Sequence, residues 1–507
     1  MGGQSNSADD NVHEITPLHI NGEDVLLDGH KFHVINSSTS KSVGEAQGAS
    51  KESASHAAQS SHDAFPGWKS IPPQKKRRLL QDYAQLLQDR EELFVRLMMQ
   101  ETSCTEEYAR HNMLVAVGVT LETAALATAQ VLEGSIPTSF IPGCIPLVLQ
   151  EPLGVILSIG PWNAPMILGM RAVLGPLITG NTVVFKARDI SLSIGALNAH
   201  LNLKGSELCP QTHHLMVKSF TDAGFPPGVV NLVQHRPEDA SEICSVLVAH
   251  PAVRKVTFTG SSRVGSIIAA TAAKHLKPTL MELGGKCPVI VLEDADLDAV
   301  IKAVEFGALD NNGQICMATE RIIVVGEFAQ DLAERLQSTF ATTKFPTFNT
   351  IVVTEAAAKR TESLLQDALH QGGKLVGPSA SELRTGASLK PVVILGLTPE
   401  MRLFREESFG PCVSVIQTKT VAEAIDLVNA SSYGLSASIF TRDVAKAIAI
   451  ARKLESGAVH VNSATIHDED TLPHGGVKDS GFGRFGGRWG IQEFVKTKTI
   501  MVHGIEV

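Results

Sequence analysis

From Gln74 to Thr102 the apolar residues Leu79, Tyr83, Leu86, Leu87, Phe94, Leu97 and Met98 recur at helical spacing among charged neighbours, which predicts one amphipathic helix. The middle of the chain then alternates strand-like runs with helical ones: "LGVILSI" (153–159), "TVVFK" (182–186), "GVVNLV" (228–233) and "VRKVTFTG" (253–260). Such alternation predicts βαβ units, with a parallel sheet covered by helices on both faces. A second series follows Glu282: "CPVIVLEDADLDAV", "RIIVV", "PVVIL", "VSVIQ", "ASIFT" and "AVHVN". Two α/β domains therefore meet near residue 283. Residues 1 to 16 are polar and without periodicity, as expected of a disordered arm.

Composition sharpens this picture. At 507 residues the chain exceeds one ordinary core. Apolar residues make up 43% and charged residues 19%, and no hydrophobic stretch is long enough to cross a bilayer; the longest, Met113 to Leu121, stops at Glu122. A formal charge of -9 with no long basic block argues against nucleic acid as a partner. The seven cysteines are an odd number, widely spaced, with no Cys-x-x-Cys pair and no cationic, apolar leader, a pattern suited to a reducing compartment and a cytoplasmic location. "MGGQSN" has asparagine where a myristoylation site needs Ser or Thr, so no lipid anchor is expected.

Candidate chemistry begins with "NNGQICMATERIIV", where Cys316 stands in a polar loop just before a strand-like run. "GFGRFGG" (481–487) satisfies Gly-x-Gly-x-x-Gly, yet no apolar strand leads into it and too little chain follows for a βαβ unit; a flexible loop is expected. In "FTGSSRVG" (258–265) a strand ends at the threonine and a helix follows, so backbone amides beside Ser261 either hold a pyrophosphate or simply turn the chain. "MELGGKCP" (281–288) sets Glu282 before a Gly-Gly pair that permits close backbone approach; taken alone it is more often a surface acid at a turn. "GPWNAP" (160–165) mounts the Asn163 amide between prolines, fit for a developing oxyanion or for a structural Asx turn. "HDED" (467–470), near His474, lacks metal-ligand spacing and reads as a polar loop, and no metal is expected.

In this order "PWNAP", "VVFKA", "FTGSSRVG", "MELGGKCP", "GQICMATERIIV", "EESFGP" and "PHGGVKDSGFGRFGG" resemble the NAD(P)-dependent aldehyde dehydrogenase superfamily from about residue 18 onward. The branch resembled is the salicylaldehyde and vanillin type, including fungal members attached to polyketide pathways. The resemblance implies an α/β aldehyde dehydrogenase fold: a Rossmann-like NAD-binding domain (17–142 and 160–283), a catalytic domain (284–475) and oligomerisation strands (143–159 and 484–507) that build a homodimer or homotetramer. It implies oxidation of an aromatic or polyketide-derived aldehyde to its acid. Cys316 would be the nucleophile, a thiol being partly ionised near neutrality, Asn163 the oxyanion donor and Glu282 the base that activates water. Ile159, Gly160, Pro161 and Trp162 would line NAD (NADP being possible), with Lys186 on the adenosine ribose, Gly260 and Ser261 at the pyrophosphate, Leu283 alongside, and Glu407 and Phe409 at the nicotinamide end.

After Lys186 the branch pattern is interrupted, and deleting Arg188 to Gly205 restores it without a seam. The segment reads as a retained intron or, second, as a real surface insertion. With it looped out, Glu207 takes the position that favours NAD over NADP. An inert, binding or structural relative impaired by this insertion is the competing reading of function. Arg171, eight residues after Asn163, either pairs with a phenolate or carboxylate of the substrate or forms a domain-surface salt bridge. His474, where the family often has an aromatic residue, would make the tunnel mouth more polar.

Overall fold

Val155–Gly160, Thr182–Ala187 and Val230–Val233 are buried at every position, as strands must be when helices cover both faces of their sheet. In the computed structural model, which describes residues 15–129, 133–187 and 208–504, they lie in an eight-stranded sheet. Its order is Gly481–Phe482, Thr279–Glu282, Val253–Thr259, Val155–Gly160, Thr182–Ala187, Val230–Val233, Leu18–Ile20, Glu23–Val25. The five strands from Thr279–Glu282 to Val230–Val233 run parallel, so their carboxyl ends share one edge. Trp68, Tyr83, Phe94 and Phe220 belong to one large apolar cluster against this sheet, and Leu247, Val248 and Ile268 to a second.

The chain leaves this sheet at Glu282 and enters the next at Cys287. The seven strands of the second sheet run in the order Lys374–Val376, Val392–Leu395, Cys412–Thr418, Thr319–Val325, Cys287–Val291, Ser436–Phe440, Ala458–Val461, all parallel except the first. A separate antiparallel ribbon joins Ile145–Pro152 to Val495–Val502. This is the two-sheet α/β architecture, with a small extra β element, that the sequence predicts.

Several boundaries differ from expectation. Of the 143–159 segment only Ile145–Pro152 belongs to the ribbon; Val155–Gly160 is a central strand of the first sheet, because an unbroken buried run has no place on a half-exposed ribbon. Within 484–507 only Val495–Val502 is ribbon strand, preceded by the helix Gly487–Gln492. Ile15–Thr16, assigned to the arm, pairs in parallel with Glu45 and Ala46, while residues 1–14 lie outside the described residues. The predicted helix Gln74–Thr102 is two helices, Pro73–Asp89 and Glu91–Thr102, parted at Arg90, whose φ of -103° and ψ of 9° break the helical run. The "GFGRFGG" segment is not merely a loop: Gly481–Phe482 pairs antiparallel with Met281 and Glu282, Gly481 holding a φ of +106° that favours glycine.

Candidate active site

The thiol is mounted by a buried polar turn. Asp310–Gly313 follows the helix Leu297–Leu309, and Asn311 and Asn312 take positive φ, which asparagine tolerates better than most residues. Their side chains fasten the turn: the Asn311 amide donates to the Asn163 carbonyl (2.9 Å), and that of Asn312 to Ile351 (2.8 Å). Gln314 donates to the Asn311 carbonyl (3.0 Å) and accepts from the Val353 N–H (2.8 Å). The polar character of the loop thus serves internal bonding rather than solvation.

Cys316 Sγ lies 3.1 Å from Glu282 Oε1 and donates to it. Burial pushes the thiol well above its ordinary pKa, and the neighbouring Glu282 charge adds to this. Burial opposes ionisation of Glu282 too, yet His474 and Arg171 hold its carboxyl below the usual value. This direction runs against the expectation of a partly ionised thiol, and the sulfur faces a carboxylate placed to take its proton. Asn163 donates through Nδ2 to the Gln314 carbonyl (2.9 Å), and its own carbonyl accepts from the Tyr108 hydroxyl (3.0 Å). An amide nitrogen carries two hydrogens, so one remains for a ligand.

Of the Gly-Gly pair after Glu282, space requires the second glycine, whereas the first meets only the movable end of the Glu407 side chain. A Cβ on Gly285 would stand 2.2 Å from the Cys316 carbonyl oxygen, and one on Gly284 would stand 2.8 Å from Glu407 Oε2. Glu407 Oε1 accepts from the Gly285 N–H at 3.0 Å. Burial, then the Glu320 charge, push the Glu407 carboxyl up to about 7.

Of the expected cofactor residues, Ile159 to Trp162, Lys186, Gly260, Ser261 and Leu283 follow or end strands of the first sheet, whereas Glu407 and Phe409 precede the strand Cys412–Thr418 of the second. Ile159 and Lys186 are register partners, followed by Gly160 and Ala187, with Pro161 and Trp162 continuing past the strand end. Lys186 is buried, its Nζ donating to the Ala187 carbonyl (3.3 Å). The Gly260 N–H donates to the Glu282 carbonyl (2.9 Å), and Ser261 leads into the helix Ser262–Lys274. Leu283 donates through its N–H to the Ser480 carbonyl (3.0 Å) and belongs to the apolar cluster beneath that edge. Phe409, at a φ of +53° unusual for a bulky residue, sets its ring edge-on to Trp162, centroids 6.0 Å apart. Glu207 and the 188–205 segment lie outside the described residues.

Arg171, on the helix Pro165–Ile178, pairs with Asp468 and is nearly buried, so the salt bridge is real but interior rather than on a domain surface. His474 is buried between Glu282 and Asp468. The polar run 467–470 is therefore part of the site's wall. A grouping of three metal-type donors does occur among the described residues, at His19, Asp24 and His214; there Asp24 Oδ1 lies 2.7 Å from His19 Nδ1 and 2.8 Å from His214 Nε2, which ties the N-terminal hairpin to the helix Pro210–Asp222.

Sequence reasoning missed Asp468 and the buried Lys286–Glu320 ion pair. Glu320 accepts from the Ser408 N–H at 2.9 and 3.0 Å and so fixes the loop carrying Glu407 and Phe409. The sequence offered little signal: Lys286 lies in the connection between two strands, and Glu320 stands at the start of its strand beside Arg321.

A model of the aldehyde dehydrogenase family matches residues 26–500. A vanillin dehydrogenase of Pseudomonas fluorescens is 39% identical over 491 residues, covering 96% of this chain and 97% of that protein. Among solved structures, a salicylaldehyde dehydrogenase from Pseudomonas putida G7 complexed with salicylaldehyde superposes with a TM-score of 0.90 at 36% identity, over 98% of this chain and 99% of that one. An NADP-dependent glyceraldehyde-3-phosphate dehydrogenase from Bacillus halodurans complexed with NADP gives 0.87 at 32% identity, over 96% and 99%.

Proposed function

The chain belongs to the aldehyde dehydrogenase family, and from that membership we propose that Cys316, Glu282 and Asn163 carry its reaction, with an aromatic aldehyde as substrate. It is an NAD(P)-dependent oxidoreductase converting an aldehyde to the carboxylic acid; the inert alternative has no support among its relatives. The observation that carries the assignment is the 3.1 Å contact between Cys316 Sγ and Glu282 Oε1 beside the anchored Asn163 amide.

The residues present fit a dinucleotide. Five strand ends share one edge, where α/β sheets take such ligands. The half-buried Glu407 has one oxygen bonded to Gly285 N–H and lone pairs left for hydroxyl groups. Ile159, Gly160, Pro161, Trp162, Lys186, Gly260, Ser261, Leu283, Glu407 and Phe409 would hold it, Lys186 at the adenosine ribose. When bound, the dinucleotide accepts the hydride released from the aldehyde carbon.

The chain's own groups do the rest. Glu282 takes the Cys316 proton, and the thiolate adds to the aldehyde carbon to give a thiohemiacetal. Its oxyanion accepts from the remaining Asn163 amide hydrogen and the Cys316 backbone N–H; losing one such donor typically costs about 10²–10³ in rate. After oxidation to the thioester, and once Glu282 has given the proton from sulfur up to solvent, its carboxylate takes a proton from water, whose oxygen attacks the carbonyl carbon and expels the thiolate.

An aromatic substrate follows from the vanillin and salicylaldehyde relatives, with Arg171 as the polar group of the pocket. NAD is the preferred dinucleotide, the reading that rests on Glu207, and rates with NAD against NADP test it. A cytosolic location suits the seven unpaired cysteines.

Cys316→Ala should abolish aldehyde-dependent NADH formation in a folded protein. Glu282→Gln should slow the first turnover, because sulfur loses its proton acceptor, and stall the enzyme as the thioester. Undiminished turnover in either variant refutes the assignment.

A further inference from the structure

His474 is held in place by paired backbone hydrogen bonds with Phe485, both 2.8 Å. Its Nε2 lies 3.5 Å from Glu282 Oε1, and its Nδ1 lies 3.4 Å from Asp468 Oδ1. Both His474 Nε2 and Glu282 Oε2 are buried without a hydrogen-bond partner. Such atoms are costly unless something uses them. At the other end of the row, Asp468 is 25% exposed and therefore reaches water, while Arg171 pairs with its second oxygen. The row Glu282, His474, Asp468 thus spans from the buried base to solvent.

Resting on the reading of Glu282 as the base, we propose that His474 and Asp468 are the exit for the proton that Glu282 takes from water during thioester hydrolysis. As water's oxygen bonds to the acyl carbon, the Cys316 thiolate leaves and one water proton passes to the Glu282 carboxylate. Glu282 then gives that proton to His474 Nε2, and His474 releases the one on Nδ1 to Asp468, which exchanges it with solvent. The imidazole resets its tautomer before the next turnover, and no electrons move in these steps. His474 serves as a positioning and relay residue, not as a group that touches substrate.

The charges around the ring suit a relay better than a store. Glu282 faces it from its strand end, Arg171 from the helix Pro165–Ile178, Asp468 from the preceding loop, and Arg484 from the returning chain. Burial, then Arg171, push the imidazole below its ordinary pKa, so a proton received is passed on.

The test follows the acyl adduct on Cys316 by rapid quench and mass spectrometry, in the full-length protein with NAD and an aromatic aldehyde. His474→Gln keeps a polar side chain but cannot relay, and Asp468→Asn removes the acceptor. Both should form the adduct with the parent's burst of NADH, then lose it about tenfold or more slowly. Added imidazole should restore much of the rate in His474→Gln. An unchanged adduct lifetime in both variants overturns the proposal, as does slowing that appears equally in the burst and is indifferent to imidazole. Absence of any adduct on Cys316 in the parent would instead strike the underlying assignment of nucleophile and base.

Discussion

Glu407 shows how one side chain couples burial to ligand affinity. Its carboxyl titrates at about 7, raised first by burial and then by Glu320. Only the ionised form accepts hydroxyl hydrogens with both oxygens, so dinucleotide affinity should weaken as pH falls through about 7, by up to about tenfold per unit below it. Titration calorimetry across pH 5.5–8.5 checks this, and Glu407→Gln should flatten the profile; a parent profile flat through neutrality contradicts it. At this scale Cys316, Glu282 and Asn163, which the fold brings together, stood out in the sequence only because several weak motifs came in a specific order. The direction of the thiol's shift was not legible, because it comes first from burial in the folded site and then from a carboxylate 34 residues earlier in the chain. Nor was the setting of His474, which is fixed by Asp468 and Glu282 together.

Among elements, the central strands were readable because burial on both faces leaves an unbroken apolar run. Gly481–Phe482 and Ile15–Thr16 were not, being only two residues long and defined by distant partners. Connections carry their own information. The strand Thr182–Ala187 and the helix Pro210–Asp222 are neighbours of the kind normally joined by about 2–6 residues. Removing Arg188–Gly205 leaves only Ser206 to Cys209 between them, within that range. The deleted chain should therefore fold with an equal or higher melting temperature, and bind dinucleotide at least as tightly as the full one. A large fall in melting temperature on deletion would mark the segment as a working part of the fold.

At the scale of the whole molecule, the ribbon of Ile145–Pro152 and Val495–Val502 is the conspicuous exposed feature. Two-stranded ribbons are marginal alone, and this one leaves Ile145, Leu149, Ile500, Met501 and Val502 open to water. We expect it to be covered by another copy, giving a homodimer or a pair of dimers. Sedimentation should show that assembly at micromolar concentration, and Ile500→Lys with Met501→Lys should weaken it at least tenfold. A parent that sediments as a single chain would remove the ribbon from that role.

The short pairing of Gly481–Phe482 with Met281 and Glu282 has a further consequence. The strand bearing the base is flanked on that side by residues that a ribosome delivers some two hundred codons later, after the entire second sheet. Until then a nascent chain can own its sulfur and its carboxylate yet lack the frame that aligns them. Prematurely released products would accordingly carry Cys316 and Glu282 without the alignment that aldehyde oxidation needs.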